Sequence, residues 1–177
     1  MPSVLLIDDE KGFLQALSEA LLARRTDITV DLAVNAEQAL LLISVSDYDV
    51  IVSDVRMPGM DGLELVQRCQ QLRPDSPVVL MTGYGDRDLE AEASKRGAYA
   101  FLHKPVDADV LLSVISRALL KARLLHRTPL PASAHPPTTF SDETQKMLDK
   151  VKKSNHQMQE RVRNWIADGS PLDKKAP

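Results

Sequence analysis

The chain has 177 residues, of which 44% are hydrophobic and 27% charged, and its formal net charge is -3. This length fits one domain of ordinary size plus an appendage, and the charge gives no bulk electrostatic reason to expect nucleic acid as a partner. The single cysteine, Cys69, excludes an intrachain disulfide and fits a reducing compartment. The N-terminus lacks the basic region of a signal peptide, and its apolar run is too short to span a membrane, so we expect a cytoplasmic protein.

Five apolar, strand-like runs alternate with helical patterns in the first 127 residues, at 3–7, 28–33, 50–52, 77–81 and 98–103. Asn35 is placed to cap the second helix, and Gly97 to end the fourth. The fourth helix is poor in large apolar residues, so we expect it to be weakly anchored. Regular alternation of strand and helix predicts an α/β fold, a doubly wound five-stranded parallel sheet of the flavodoxin-like order.

The stretch 48–65 contains the predicted central strand and the turn that follows it. Val50, Ile51 and Val52 have the β-branched composition of a strand buried on both faces, and Asp54 stands at its end. The turn follows at once, with Pro58, Gly59, Asp61 and Gly62. Ligands of open α/β sheets bind at the carboxyl ends of the strands. Taken alone, however, a carboxylate there is as consistent with a helix cap or a solvated loop as with function.

Polar side chains lie at the carboxyl ends of four predicted strands, and we expect them to converge: Asp8, Asp9, Asp54, Thr82 and Lys104. Crowded carboxylates repel one another unless a cation compensates, and a site made of oxygen ligands alone favours Mg²⁺ over Zn²⁺. Lys104 supplies a charge for a phosphoryl oxygen, and Thr82 a hydroxyl donor. The set is typical of phosphoryl transfer to a carboxylate. In the simpler alternative, Asp8 and Asp9 cap the first helix and Lys104 neutralises them.

Four motifs, LLIDDE, IVSDVRMPGMDGLEL, VVLMTGYGD and GAYAFLHKP, carry a resemblance to a known family. From Val4 to about Leu125 the chain resembles the receiver domain of two-component response regulators. It is similar to receivers of the nitrogen-regulation and dicarboxylate-transport class. The resemblance implies that Asp54 accepts a phosphoryl group from a sensor histidine kinase. It also implies a signalling domain that hydrolyses only its own phosphate, and so not an enzyme.

The same resemblance implies a separate role for each residue of the site. Asp9, Asp54 and the backbone carbonyl of Arg56 would bind Mg²⁺ directly, and Asp8 would act through water. Thr82 would bind the phosphoryl group once it arrives, and Lys104 would pair with it.

The resemblance also implies a switch. Phe101 matches the aromatic that turns inward on activation, although ordinary core packing explains it equally well in the resting state. Thr82 and Phe101 would together re-bias the face of the fourth helix, fifth strand and fifth helix. Arg56 and Tyr84 each follow a site residue by two positions and would affect the lifetime of the phosphate.

The remaining chain divides into a Pro-rich linker at 128–140, an amphipathic helix at 141–168 and a disordered tail at 169–177, after a receiver at 1–127. Ser141 is placed to cap the helix. Its apolar positions step by three and four, as in a short two-stranded coiled coil: Leu148, Val151, Asn155, Met158, Val162 and Trp165. The pattern leaves two alternatives open, a homodimer through this helix or docking on the chain's own receiver. A homodimer through the receiver face is also possible.

No ATPase or helix-turn-helix output domain is recognisable in the sequence, so we expect either signalling through protein contacts or a fragment of a larger regulator. Two other functions are weighed against this one. The mildly basic tail allows a DNA-binding transcriptional regulator, which a steep salt dependence of DNA binding would reveal. A haloacid-dehalogenase-type enzyme also uses an aspartyl nucleophile and Mg²⁺, but it carries a second acid where this chain has Arg56.

Overall fold

The computed structural model describes residues 1–83, 87–125 and 140–168. Three sequence predictions therefore lie outside the described residues: the role of Tyr84, the linker except for its last residue, and the disordered tail. Within the described ranges, none of the helices combines the length and the hydropathy needed to cross a bilayer.

Five parallel strands form one sheet in the order β2-β1-β3-β4-β5. The strands are β1 Ser3–Ile7, β2 Thr29–Ala33, β3 Val50–Asp54, β4 Val78–Thr82 and β5 Ala100–His103. The helices are α1 Lys11–Arg24, α2 Ala36–Val45, α3 Gly62–Leu72, α4 Arg87–Lys95, α5 Ala108–Leu125 and α6 Asp142–Ala167. The predicted flavodoxin-like doubly wound sheet and the C-terminal helix are confirmed.

Alternate residues of the strands face two separate cores, as expected for a sheet covered by helices on both sides. Leu5 and Ile7 of β1 pack with α2, α3 and α4, whereas Leu6 packs with α1 and α5 on the other face. The predicted caps are present, since the Asn35 side chain accepts from the Gln38 N–H at 2.8 Å and Ser141 Oγ accepts from the Thr144 N–H at 3.3 Å. Because all five strands run parallel, their carboxyl ends meet at one edge of the sheet.

Helix α6 packs across the outer edge of β2, between α1 and α2. Five residues of the predicted seam are buried in this contact: Leu148, Val151, Asn155, Met158 and Val162. Asn155 makes two hydrogen bonds with the backbone of Leu32, and Gln159 donates to the Val30 carbonyl at 2.9 Å. Of the two alternatives for this helix, the structure contains docking on the chain's own receiver, which occupies the same face that a coiled coil would need.

Candidate functional site

The carboxyl ends of β1, β3, β4 and β5 bring four of the predicted side chains together. Asp54 and Thr82 are the last residues of β3 and β4, while Asp8 and Lys104 directly follow β1 and β5. The sequence predicted that the fourth strand ends at Met81, whereas β4 continues for one more residue and includes Thr82. The Lys104 ammonium lies 2.6 Å from Asp8 Oδ2 and 3.0 Å from Asp54 Oδ1. One cation therefore links the two carboxylates across the sheet.

The predicted acidic cluster forms as expected. Asp8, Asp9 and Asp54 each offer a carboxylate oxygen, and these oxygens lie within 4.8 Å of one another. Asp8 and Asp54 are 1% and 6% exposed, whereas Asp9 faces solvent. The three carboxyl groups lie close enough to repel one another when ionised, and a divalent cation would offset that repulsion. All-oxygen donors of this kind fit Mg²⁺.

The simpler alternative, in which Asp8 and Asp9 cap α1 and Lys104 neutralises them, is met only in part. The N-cap residue of α1 is Glu10, and its side chain makes no capping hydrogen bond. Asp8 accepts from the Glu10 N–H at 2.9 Å, and its second oxygen binds Lys104, a pairing that both interpretations expect. The carboxylate of Asp8 is therefore shared between the local turn and the site.

Burial and charge act in opposite directions on the two central groups. Burial raises the pKa of Asp54; the hydrogen bond from Lys104 and its charge oppose this, and the charge of Asp8 adds to it. For Lys104, burial disfavours the ammonium, but the hydrogen bonds and charges of Asp8 and Asp54 outweigh burial and raise its pKa. Lys104 is therefore a fixed cation, and the ionised form of Asp54 depends on it.

The hydroxyl of Thr82 is buried, and within the described residues it has no hydrogen-bond partner. A buried polar group without a partner costs about 1–3 kcal/mol, and such groups are uncommon in folded proteins. This one lies at the carboxyl end of the sheet, beside the strand that ends in Asp54. A ligand oxygen brought to Asp54 would supply the missing acceptor.

The loop after Asp54 returns tightly against the strand, as the turn residues predicted. The Val55 N–H donates to the Met81 carbonyl at 2.8 Å, and the Gly62 N–H donates to the Val55 carbonyl at 2.9 Å. A Cβ at position 62 would lie 2.8 Å from Val55 Cα and would also meet the Asp54 carbonyl oxygen. Glycine is therefore needed there, and it begins α3 directly behind the site. Arg56 is exposed within this loop, and the roles of its carbonyl and side chain remain predictions.

Phe101 lies on the edge strand β5 and is half-buried. It packs against the core on the α2–α3–α4 side, and its ring meets the His103 ring edge-on at a centroid distance of 5.5 Å. This position is compatible with the core-packing interpretation, and the switch role remains a prediction.

One contact of the site was missed from the sequence. The ring of Phe13 lies beneath the Lys104 ammonium, with Nζ 4.7 Å from the ring centroid. The sequence pattern indicated only that Phe13 belongs to the apolar face of the first helix. The signal available was its place in the first turns of α1, shortly after Asp8 and Asp9.

Comparisons with known proteins agree with this geometry. The family model described as the response regulator receiver domain matches residues 4–116. The C4-dicarboxylate transport transcriptional regulatory protein DctD of Rhizobium meliloti is 40% identical over 124 residues, covering 70% of this chain and 26% of that protein. The DNA-binding transcriptional regulator NtrC of Escherichia coli is 34% identical over 116 residues, covering 66% of this chain and 24% of that protein. The chain thus spans about a quarter of the length of these relatives.

Solved structures show the same similarity over about seven tenths of the chain. A response regulator receiver domain protein from Clostridium thermocellum has a TM-score of 0.66 and 30% identity, covering 71% of this chain and 99% of that one. The signal receiver domain of an HD domain-containing protein from Pseudomonas fluorescens has a TM-score of 0.65 and 35% identity, covering 70% and 98%.

Proposed function

The chain belongs to the response regulator receiver domain family, and from this premise we propose that Asp54 is the phosphoacceptor of a two-component signalling pathway. The donor is a phosphohistidine of a sensor histidine kinase. The observation that carries the proposal is the pairing of Asp54 with the fixed cation Lys104, beside a buried Thr82 hydroxyl that finds no acceptor among the described residues. A purely structural ion pair would not account for that hydroxyl.

The acidic residues have a separate role in this proposal. Asp9, Asp54 and the backbone carbonyl of Arg56 would hold Mg²⁺ directly, with Asp8 acting through water. The ion supplies positive charge that offsets the negative charge of the phosphoryl oxygens. Asp8, Asp9 and Asp54 are suited to this because their oxygens already lie within 4.8 Å of one another.

The transfer itself is a displacement at phosphorus. A carboxylate oxygen of Asp54 attacks, an O–P bond forms, and the P–N bond to the donor imidazole breaks with its electron pair passing to nitrogen. Lys104 pairs with a phosphoryl oxygen as the group arrives, and the Thr82 hydroxyl donates to another. Lys104 thus exchanges a contact within the resting site for one with the phosphoryl group, and Thr82 gains an acceptor.

Phosphorylation would act as a switch because it adds close to two negative charges at the end of the sheet. Thr82 moves to meet them, and Phe101 takes up the space, which re-biases the face formed by α4, β5 and α5. Arg56 and Tyr84 would set the lifetime of the phosphate. The output we propose is control of protein association, by a signalling protein of the cytoplasm that turns over no separate substrate.

A second candidate output is regulation of transcription. It is favoured by the relatives, since NtrC is described as a DNA-binding transcriptional regulator and DctD as a transcriptional regulatory protein. Titration of DNA with the purified chain at increasing salt tests it: binding that weakens steeply with salt supports this output, and no binding at low salt contradicts it for this chain.

The phosphoacceptor proposal is tested by intact-protein mass after incubation with Mg²⁺ and acetyl phosphate. We expect one phosphoryl adduct in the wild type, none in Asp54→Asn, and none in the wild type when the metal is chelated. An adduct of equal yield in the Asn variant would contradict the proposal.

A further inference from the structure

The Lys104 ammonium is held from three directions. Asp8 Oδ2 and Asp54 Oδ1 accept its hydrogen bonds at 2.6 and 3.0 Å, and the Phe13 ring lies 4.7 Å away on the α1 side. The two carboxylates explain its charge, whereas the ring adds no hydrogen bond. The ring does face a cation within the distance at which its quadrupole attracts one.

The Lys104 side chain also has a route away from the site, because it is 24% exposed. A lysine side chain has four rotatable bonds and a strongly hydrated head, so solvent competes for it whenever one carboxylate partner is lost. Phosphoryl transfer requires such a loss, because Lys104 must exchange a bond to Asp54 for one to the incoming group. At that moment the Phe13 ring is a neighbour that does not itself take part in the exchange.

Phe13 is anchored well enough to serve this purpose. It is half-buried and packs against the core on the α1–α5 side, in which Leu14 and Leu17 of the same helix are buried. An aromatic ring there fixes one face toward the end of β5.

We propose that Phe13 is a positioning residue for phosphoryl transfer, which holds the Lys104 ammonium at the site through a cation–π contact while Lys104 changes partners. This inference rests on the proposed phosphoacceptor function. Phe13 touches neither the phosphoryl group nor Asp54 in the mechanism, and acts only through Lys104. Cation–π contacts of partly desolvated groups correspond to roughly three- to thirtyfold in an equilibrium, which sets the size of the expected effect on rate.

The test lowers the electron density of the ring face, which attracts the cation, while it keeps the shape of the ring. Phenylalanine with one, two or three ring fluorines is incorporated at position 13. The same series at Phe140 serves as the matched control, because Phe140 precedes α6 and packs against the core on the opposite face of the sheet. Phe13→Leu removes the ring, and Phe13→Tyr restores an aromatic face. The rate of adduct formation from acetyl phosphate at saturating Mg²⁺ is measured by intact-protein mass.

We expect the rate to fall stepwise with each fluorine at position 13, to fall about tenfold in Phe13→Leu, and to recover in Phe13→Tyr, with no trend at Phe140. A loss in Phe13→Leu without any trend across the fluorinated series would show that the residue only packs, and would overturn the proposal.

A second readout does not depend on phosphorylation. The ¹H–¹⁵N ammonium signal of Lys104 in the resting protein should exchange with water more slowly in the wild type than in Phe13→Leu. If exchange is equally fast in both, the positioning role is refuted. If the exchange difference is present but the wild type takes up no phosphoryl group, the phosphoacceptor proposal fails instead.

Discussion

The contact between Asn155 and the edge of β2 gives a prediction whose magnitude follows from the structure. Asn155 is 5% exposed; its Oδ1 accepts from the Leu32 N–H, and its Nδ2 donates to the Leu32 carbonyl, each at 3.2 Å. These backbone groups point away from β1, on the side where the sheet of the described residues ends. Asn155→Leu keeps the size of the side chain but leaves both groups without partners under an apolar surface.

Each unsatisfied buried backbone group costs about 1–3 kcal/mol. The free energy of global unfolding does not fall by the full cost of both backbone groups, because α6 can detach and let water reach the edge of β2. The loss is then limited to the free energy that docking contributes, and we expect a decrease of about 2 kcal/mol in the free energy of local opening. That corresponds to roughly thirtyfold faster amide exchange at Leu32.

Native-state hydrogen exchange measures this directly and carries its own control. The Val34 N–H faces the same edge but donates to Gln38 Oε1 of α2 at 2.7 Å, so its exchange should change much less. Gln157→Leu, on the exposed face of α6, is the matched variant and should leave Leu32 protected. Unchanged exchange at Leu32 in Asn155→Leu would refute the assignment of α6 as the cover of this edge.

Three further predictions follow from single residues. Thr82→Val removes a hydroxyl that has no partner among the described residues, and it should raise the free energy of unfolding of the resting protein by about 1–3 kcal/mol in urea titration; a decrease would contradict this. Gly62→Ala should lower that free energy by about 1–3 kcal/mol, whereas Gly12→Ala, with open space at its Cβ, should not; equal effects would contradict the tight turn. Burial raises the pKa of Asp31 above 3.8, against the hydrogen bonds of Tyr48 and Gln159 and the charge of Lys152. The folded protein therefore binds the proton more tightly than the unfolded chain, so the Asp31 contribution to stability is present below pH 3.8 and lost as the pH rises through the folded pKa. Asp31→Asn should remove that decline from the pH profile of stability, and an unchanged profile would contradict it.

The sequence predicted the sheet and most of the site because both depend on local signals. Buried β-branched runs followed by polar residues can be recognised in the sequence itself. Parallel strands then bring their carboxyl ends together whatever the details of packing. The convergence of five side chains was predicted in this way: Asp8, Asp9, Asp54, Thr82 and Lys104. That Thr82 lies within β4, with no hydrogen-bond partner in the part of the chain that the structure describes, could not be foreseen, since both depend on register and on neighbours in space.

Two features were beyond the reach of the sequence for a common reason. The spacing of Leu148, Val151 and Val162 is the same whether the helix pairs with a copy of itself or packs on its own receiver, so periodicity alone could not choose. The choice rests on Asn155 and on the open edge of β2, which are 123 positions apart in the chain. In the sequence pattern Phe13 likewise looks like one more core residue, and only the structure shows that the Lys104 ammonium lies above its ring.

The central claim is that Asp54 itself carries the phosphoryl group. The most direct measurement is borohydride reduction of the protein after incubation with acetyl phosphate and Mg²⁺, which converts an aspartyl phosphate to homoserine, followed by peptide mass spectrometry. We expect homoserine at position 54 alone, and none without the metal. Homoserine at Asp8 or Asp9, or a phosphoryl group that resists the reduction on another residue, would contradict it.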